Sequence, residues 1–181
     1  MGAGTRPPLW NERGDMAVIE QYSDDEIHPI DIVETLAEYN EWDFDRIADD
    51  QIAMAVEGQW RTYSVTLAWS AYDQTLRLIC TFEMEPPAGS LPALYEGLNA
   101  VNDECWAGAF TYWAAQKLMV YRYGLVLAGD QTAGAEQIDT MIMAAVLSCE
   151  KYYPAFQLMT WGERPVAEAM QVAIAEAYGR A

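Results

Sequence analysis

Residues 61–84 read RTYSVTLAWSAYDQTLRLICTFEM, and apolar side chains occupy every second position on both sides of a polar turn at Asp73-Gln74. The apolar positions are Tyr63, Val65, Leu67, Trp69, Ala71, Leu76, Leu78, Cys80, Phe82 and Met84. The positions between them are rich in Thr, Ser, Arg and Glu. A period of two indicates strands, and a sheet with one apolar and one polar face is typical of antiparallel pairing. The stretch therefore predicts a hairpin with one side in the core and the other in water.

The elements on either side of this hairpin extend it into an α+β domain. Before it we predict a helix over 29–39, a short strand from Trp42, and a strand containing Ile52, Met54 and Val56. After it we predict a helix that begins after an N-cap at Ser90, strands over about 108–114 and 118–127, a helix over about 135–153, and a last helix from Pro165. Pro154 is expected to break or bend the long helix, with one or two turns resuming over 155–161. The predicted fold is an antiparallel sheet of five or six strands packed on helices, in the order α-β-β-β-β-α-β-β-α-α.

Charge excludes several classes of partner. The chain has 181 residues, with 10 Lys+Arg against 28 Asp+Glu, and a formal net charge of −18. DNA and RNA are bound mainly by neutralising phosphates with Lys and Arg, and anionic membranes attract basic segments. We therefore expect no nucleic acid partner and no membrane surface, and the net charge favours basic partners.

Localisation is predicted from the apolar runs and the cysteines. No apolar run approaches the roughly 20 residues of a membrane-spanning helix, and the N-terminus shows no signal-peptide core. Cys80, Cys105 and Cys149 are odd in number and form no Cys-x-x-Cys motif. This pattern predicts buried, reduced thiols in a cytoplasmic protein.

The acidic residues are concentrated near the N-terminus. Residues 1–50 hold 14 of the acidic residues and 3 of the basic ones. We predict a flexible acidic tail over 1–27, an α+β domain over 28–162 and a C-terminal helix over 163–181. The apolar stripe of that helix is thin, and packs either on the body or on a second subunit.

Few residues suggest chemistry. The one dense carboxylate group is Asp43, Asp45, Asp49 and Asp50. An EF-hand loop beginning at Asp43 would need Gly and Glu where Ala48 and Met54 stand, so solvated turn acids are favoured over a weak Ca²⁺ site.

The single histidine, His28, precedes Pro29 at the start of a helix, which favours an N-cap or surface role over a catalytic base. The phosphate-binding glycine loops and the Gly-x-Ser-x-Gly motif are absent from the sequence. We predict no catalytic residue, no cofactor and no metal, and the partner-binding residues stay unknown.

Two further groups of residues have a structural and a functional interpretation. Asn99 and Asn102 share one side of a helix, and buried amides usually cap backbone groups; ligand contact is the alternative. Tyr and Trp are favoured at interfaces but also fill cores. The tryptophans concerned are Trp60, Trp69, Trp106, Trp113 and Trp161.

Over residues 28–162 the chain resembles the YbjN family. The resemblance is carried by the acidic-apolar first helix, by Trp42-Asp43-Phe44, by the run from Leu98 to Asn102, by the two strands after it, and by Tyr152-Tyr153-Pro154 with Trp161-Gly162. It implies a fold like that of type III secretion chaperones, which are small dimeric proteins that bind segments of other proteins. It also implies a role in sensory transduction regulation, and no catalytic residues come with it.

Together these observations predict a non-catalytic, cytoplasmic, bacterial protein that presents apolar surface to a protein or peptide client and forms a homodimer. The first alternative is a small-ligand-binding protein or enzyme whose site is lined by aromatics and carboxylates. The second is a regulator that acts through its acidic tail. A deep pocket with carboxylates of strongly shifted pKa favours the first alternative, and a flat apolar patch rimmed by acids favours the binding protein.

Overall fold

The computed structural model describes residues 27–129 and 131–178, and within them it contains a six-stranded antiparallel sheet and four helices. The sheet order is β1-β2-β3-β4-β6-β5. The helices are α1 (Pro29–Tyr39), α2 (Leu91–Asp103), α3 (Ala135–Thr160) and α4 (Val166–Tyr178). The strands are β1 (Asp43–Ala48), β2 (Gln51–Glu57), β3 (Thr62–Ser70), β4 (Thr75–Glu83), β5 (Ala109–Trp113) and β6 (Leu118–Val126). The predicted order and fold class are confirmed, whereas the acidic tail lies outside the described residues apart from Ile27.

The pairing of β3 with β4 confirms that the sheet has one dry side and one wet side. Val65 lies opposite Cys80 and Leu67 lies opposite Leu78, and all four side chains are buried. Between them, the side chains of the other face are exposed or half-buried. The hairpin of β5 and β6 continues the sheet because β6 pairs with β4.

The helices cover the dry side. Helix α3 contacts β4 and β6, α1 contacts β2 and β3 at one flank, and α2 contacts β5 at the other. Helix α4 packs on α3 and α2 through the buried Ala169, Met170 and Ala173. The C-terminal helix thus belongs to the body of this chain, because its small residues allow close approach to α3.

Two local predictions differ from the structure. The predicted break at Pro154 is wrong, because the long helix runs without interruption from Ala135 to Thr160, while the helical turns predicted after Pro154 are present. A proline inside a helix destabilises it by about 3 kcal/mol. The turns beyond Pro154 bury Phe156 and Met159 almost completely. Burial of each such side chain stabilises the fold by roughly 1.5–3 kcal/mol, which offsets the cost of the proline. Ser90 precedes α2 but does not cap it, because its hydroxyl donates to the carbonyl oxygen of Pro87 at 2.9 Å.

A carboxylate on α3 accepts hydrogen bonds from the turn between β2 and β3. The carboxylate of Glu150 accepts hydrogen bonds from the backbone N–H of Gln59 at 2.8 Å and of Trp60 at 3.2 Å. It also accepts from the hydroxyl of Tyr63 at 2.5 Å. Burial, together with the neighbouring carboxylate, raises the pKa of Tyr63. This connection holds the sheet on the helical layer at its β2–β3 end.

Candidate binding surface

The wet side of the sheet contains a depression over strands β4, β6 and β5. Its volume is about 730 Å³. We call it the arginine depression and define it by Arg77, Ile79, Thr111, Trp113, Arg122 and Gly124. The helices contact the sheet through its buried, apolar face, so the depression opens on the side away from them.

Strand register explains why these residues meet. Side chains alternate between faces, and Cα partners in an antiparallel pair share a face. Arg77 pairs with Gly124, Ile79 pairs with Arg122, and Trp113 pairs with Leu118. Gly124 has no side chain, which leaves space beside Arg77.

The two arginines differ in their electrostatic surroundings. Arg77 donates to the carboxylate of Asp73 at 2.5 Å. Arg122 is exposed and forms no ion pair within 27–129 and 131–178. The other basic side chains in this part of the chain each bond or stack with a neighbour: Arg46, Arg61, Arg77, Lys117, Lys151 and Arg164. Among the described residues, Arg122 is therefore the one basic side chain that neither bonds nor stacks with a neighbour.

The open face carries negative charge on the strands farthest from the depression. Asp43, Asp45 and Glu57 lie on β1 and β2, and all three are exposed. They belong to the strands farthest from β5 in the sheet order. On the open face, the strands β1 and β2 thus carry carboxylates, whereas the arginines lie on β4 and β6, where β4 also carries the exposed Glu83.

The open face of β5 and β6 also exposes apolar side chains. The side chain of Trp113 is 37% exposed and that of Val126, next to Gly124 on β6, is 63% exposed. Val120 lies on the same face and is fully buried. A depression that contains a cation and an aromatic side chain suits a ligand that has both a carboxylate and apolar groups.

The side chain of Asn102 forms hydrogen bonds with the backbone of the edge strand β5. Its side-chain oxygen accepts from the backbone N–H of Phe110 at 2.7 Å, and its side-chain nitrogen donates to the carbonyl oxygen of Phe110 at 3.0 Å. The amide takes the place of a neighbouring strand, which confirms the predicted capping role of Asn102. The same prediction is wrong for Asn99, whose side chain is exposed.

The remaining sequence candidates do not form a site together. Asp43 and Asp45 lie on β1, while Asp49 and Asp50 lie in the following turn, and all four are exposed. In the part of the chain that the structure describes, no three His, Cys, Asp or Glu side chains lie close enough to hold a metal ion. The ring of His28 accepts from the backbone N–H of Ile30 at 3.3 Å, which confirms its role as a helix cap.

All three cysteines are free, and Cys80 and Cys149 are buried as predicted, whereas Cys105 is only half-buried. The sulfur atoms of Cys80 and Cys149 lie 3.6 Å apart in the core. Burial raises the pKa of the Cys149 and Cys105 thiols. Since the thiolate is the reactive form, this environment disfavours nucleophilic chemistry at both residues.

The tryptophans are divided between core and surface. Trp69 is half-buried and packs against the core, while Trp106 is 99% exposed. Trp60, Trp113 and Trp161 lie between these extremes. A second depression of about 320 Å³ adjoins Trp106 and includes Cys105, Leu147 and Lys151.

Sequence reasoning missed the arginines of the depression. The sequence does contain a signal for these two residues, because Arg77 and Arg122 both fall on the polar positions of alternating strands. Their meeting depends on β6 pairing with β4 across the intervening helix and strand. Carboxylates with raised pKa do not line this depression: burial raises the pKa of Asp139, which lies on α3.

Comparison with known proteins identifies a family and a related solved structure among its matches. The family model YbjN, described as "Putative bacterial sensory transduction regulator", matches residues 29–158. A solved structure titled "Crystal structure of YbjN, a putative transcription regulator from E. coli" is 13% identical, with a TM-score of 0.49, and the alignment covers 86% of this chain and 97% of that chain. No curated protein sequence matches. None of the described helices is both long and apolar enough to cross a membrane.

Proposed function

Because this chain belongs to the YbjN family, whose description is that of a regulator, we propose that it is a non-catalytic regulatory protein that binds a segment of another polypeptide. The arginine depression is the binding surface in this proposal. The observation that carries it is Arg122, an exposed cation without an ion pair among the described residues, in a depression that the partly exposed Trp113 also lines. The free cysteines support a reducing, cytoplasmic compartment.

The chemistry of the depression selects an acidic and apolar segment. A carboxylate can accept two parallel hydrogen bonds from one guanidinium, which adds geometric specificity to the charge. Trp and Arg are the residues that most often dominate binding energy at interfaces. The net charge of the whole chain favours basic partners, but the local charge at the depression is opposite, and short-range contacts depend on the local charge because salt screens distant charges.

A direct test uses labelled peptides. We expect a short peptide in which aspartate alternates with leucine to bind the full chain, with fluorescence anisotropy as the measurement. Arg122→Glu is expected to weaken this binding by at least about tenfold, since a lost charged hydrogen bond costs about 1.5–3 kcal/mol. Arg164→Glu is the matched control, because Arg164 is an exposed arginine outside the depression, two residues before α4. Absence of binding, or equal affinity of both variants, would overturn the proposal.

The homodimer predicted from the sequence remains a proposal. The exposure of Trp106 supports it, since aromatic residues are enriched at interfaces. Light scattering on the purified chain is expected to give twice the 20.3 kDa chain mass. A single-chain mass across micromolar concentrations would remove the dimer from the proposal.

A further inference from the structure

We propose that Cys80 and Cys149 form a reversible modification site, at which hydrogen peroxide or another small peroxide converts the two thiols into a disulfide that joins β4 to α3. The pair lies on the dry side of the sheet, whereas the arginine depression lies on the open side. This inference therefore goes beyond the proposed function and does not rest on it. Disulfides in a reducing compartment are usually transient and redox-sensing, so the pair is expected to stay reduced until an oxidant is present.

The two thiols face each other where the sheet packs on the helical layer. Their sulfur atoms lie 3.6 Å apart, and the thiol of Cys149 donates to the sulfur of Cys80. Both cysteines are free and buried. A disulfide has a sulfur–sulfur distance of about 2.05 Å, so the two sulfurs must approach each other by about 1.5 Å. Rotation of the two side chains supplies a movement of this size.

The bond would join two elements that are distant in the chain. Cys80 is on β4, which pairs with β3 on one side and with β6 on the other. Cys149 is on α3, a helix of 26 residues, and lies 69 positions after Cys80. A disulfide that closes so long a loop stabilises the fold by constraining the unfolded chain. Oxidation would therefore tie the sheet to the helical layer.

The reaction consumes two thiols and one molecule of hydrogen peroxide. The sulfur of Cys80 gives up its proton and attacks one peroxide oxygen, so that an S–O bond forms, the O–O bond breaks and the departing hydroxide leaves as water with that proton. The sulfur of Cys149 then attacks the sulfenic sulfur, so that the S–S bond forms, the S–O bond breaks and a second water leaves with the proton of Cys149. The two sulfurs together lose the two electrons that the peroxide gains. The hydrogen bond from Cys149 favours Cys80 as the first nucleophile, because it stabilises negative charge on the sulfur of Cys80.

Burial decides which oxidants reach the pair. Neither Cys80 nor Cys149 has exposed surface, and burial raises the pKa of Cys149, which keeps its thiolate scarce. The reaction is therefore slow in the closed fold and requires a local opening. Hydrogen peroxide is uncharged and little larger than water, whereas oxidised glutathione is a charged disulfide of two tripeptides and needs a much wider opening. We therefore expect the pair to select small, uncharged oxidants.

The turn between β2 and β3 is the expected point of entry. Tyr63 lies at the start of β3 beside this turn, and the next residue on the same face, Val65, pairs with Cys80. The hydroxyl of Tyr63 donates to the carboxylate of Glu150, which also accepts from the backbone of the turn. Glu150 directly follows Cys149 on α3. Release of this carboxylate would free the turn and the Tyr63 ring together, and would open the fold next to the two sulfurs.

Peptide mapping of the full chain tests the modification. The reduced chain is treated with hydrogen peroxide, then unfolded, alkylated at its remaining thiols and digested for mass spectrometry. We expect two peptides linked through Cys80 and Cys149, with a combined mass lower by two hydrogen atoms, and we expect Cys105 in no linked peptide. Oxidised glutathione should give at least about tenfold less of the linked pair, because it does not reach buried sulfurs. Links through Cys105, further oxidation of single cysteines without a linked pair, or an equal yield from oxidised glutathione would overturn the inference.

Matched variants separate the pair from the third thiol. Cys105→Ala should give the same yield of the linked pair, and Cys80→Ala should give none. The second measurement is urea unfolding of the Cys105→Ala chain in its reduced and peroxide-treated forms. Oxidation should raise the urea midpoint by about 1 M, because the disulfide closes a long loop in an otherwise unchanged fold. A midpoint equal to or below that of the reduced form would show that the bond forms only by distorting the packing, and would contradict the inference.

Oxidation rates test the point of entry. Glu150→Ala should speed formation of the linked pair by at least about fivefold, since it removes the hydrogen bonds that hold the β2–β3 turn and Tyr63. Arg46→Ala is the matched control, because Arg46 bonds in the same way to the β1–β2 turn and to α1, and it should leave the rate within about twofold. No acceleration by Glu150→Ala, or equal acceleration by both variants, would rule out entry at the β2–β3 turn.

Discussion

Replacing Phe156 with alanine is expected to lower the free energy of unfolding by about 3–5 kcal/mol, which is the usual cost of emptying a buried aromatic site. Phe156 has no exposed surface, and its ring meets that of Phe110 at a centroid distance of 5.4 Å. Phe110 in turn contacts the rings of Tyr121 and Tyr152. The substitution therefore removes one of the two α3 rings, the other being that of Tyr152, from an aromatic cluster that holds the edge strand β5 to the helix. Urea unfolding followed by circular dichroism measures the effect.

Controls separate this packing from a general effect on the helix. Phe156→Leu should cost less, because it fills part of the same volume. Leu147→Ala removes an exposed apolar residue of α3 and should change stability by no more than about 0.5 kcal/mol. If Phe156→Ala were as mild as Leu147→Ala, the packing of α3 beyond Pro154 would be wrong.

Asn102→Ala is expected to cost about 2–4 kcal/mol, because each buried backbone group left without a partner costs about 1–3 kcal/mol. The two groups are the N–H and the carbonyl of Phe110. The loss should also loosen β5, which carries Thr111 and Trp113 of the arginine depression. Denaturant unfolding gives the stability, and hydrogen exchange at the amide of Phe110 gives the local effect.

Asn99→Ala is the matched control, since it removes the same side chain one turn earlier on α2 from an exposed position. It should change stability by no more than about 0.5 kcal/mol. Asn102→Asp should fall between the two alanine variants, because one oxygen still accepts from the N–H of Phe110 while the other faces its carbonyl oxygen. A cost for Asn99→Ala equal to that for Asn102→Ala would show that the pairing with Phe110 contributes nothing specific.

The parts of the fold that could be predicted depend on local patterns. The alternation of residues 61–84 predicted which side chains of β3 and β4 are buried, because neighbouring side chains on a strand point to opposite faces. The caps were less predictable. His28 does cap α1, but Ser90 does not cap α2, since its hydroxyl finds the carbonyl of Pro87 instead.

The arginine depression could not be predicted in the same way. Arg77 and Arg122 are far apart in the sequence and meet because β6 pairs with β4 after the chain has formed α2 and β5. The acidic neighbour of Arg77 is local, since Asp73 lies four residues earlier, whereas the surroundings of Arg122 depend on the pairing of β6 with β4. Sequence reasoning could assign each one to a polar face, but not to a common site.

The sequence by itself determined the α+β class, the order of elements, the dry and wet faces of the strands, and the family resemblance that the comparisons confirmed. These follow from periodicity and turn residues, which act between neighbours along the chain. Tertiary structure alone decided that α3 is continuous through Pro154, that Asn102 and not Asn99 pairs with the edge strand β5, and that Arg122 lies without an ion pair among the described residues. Each of these outcomes depends on residues distant in the sequence, because burial and pairing energies arise only once the elements have packed.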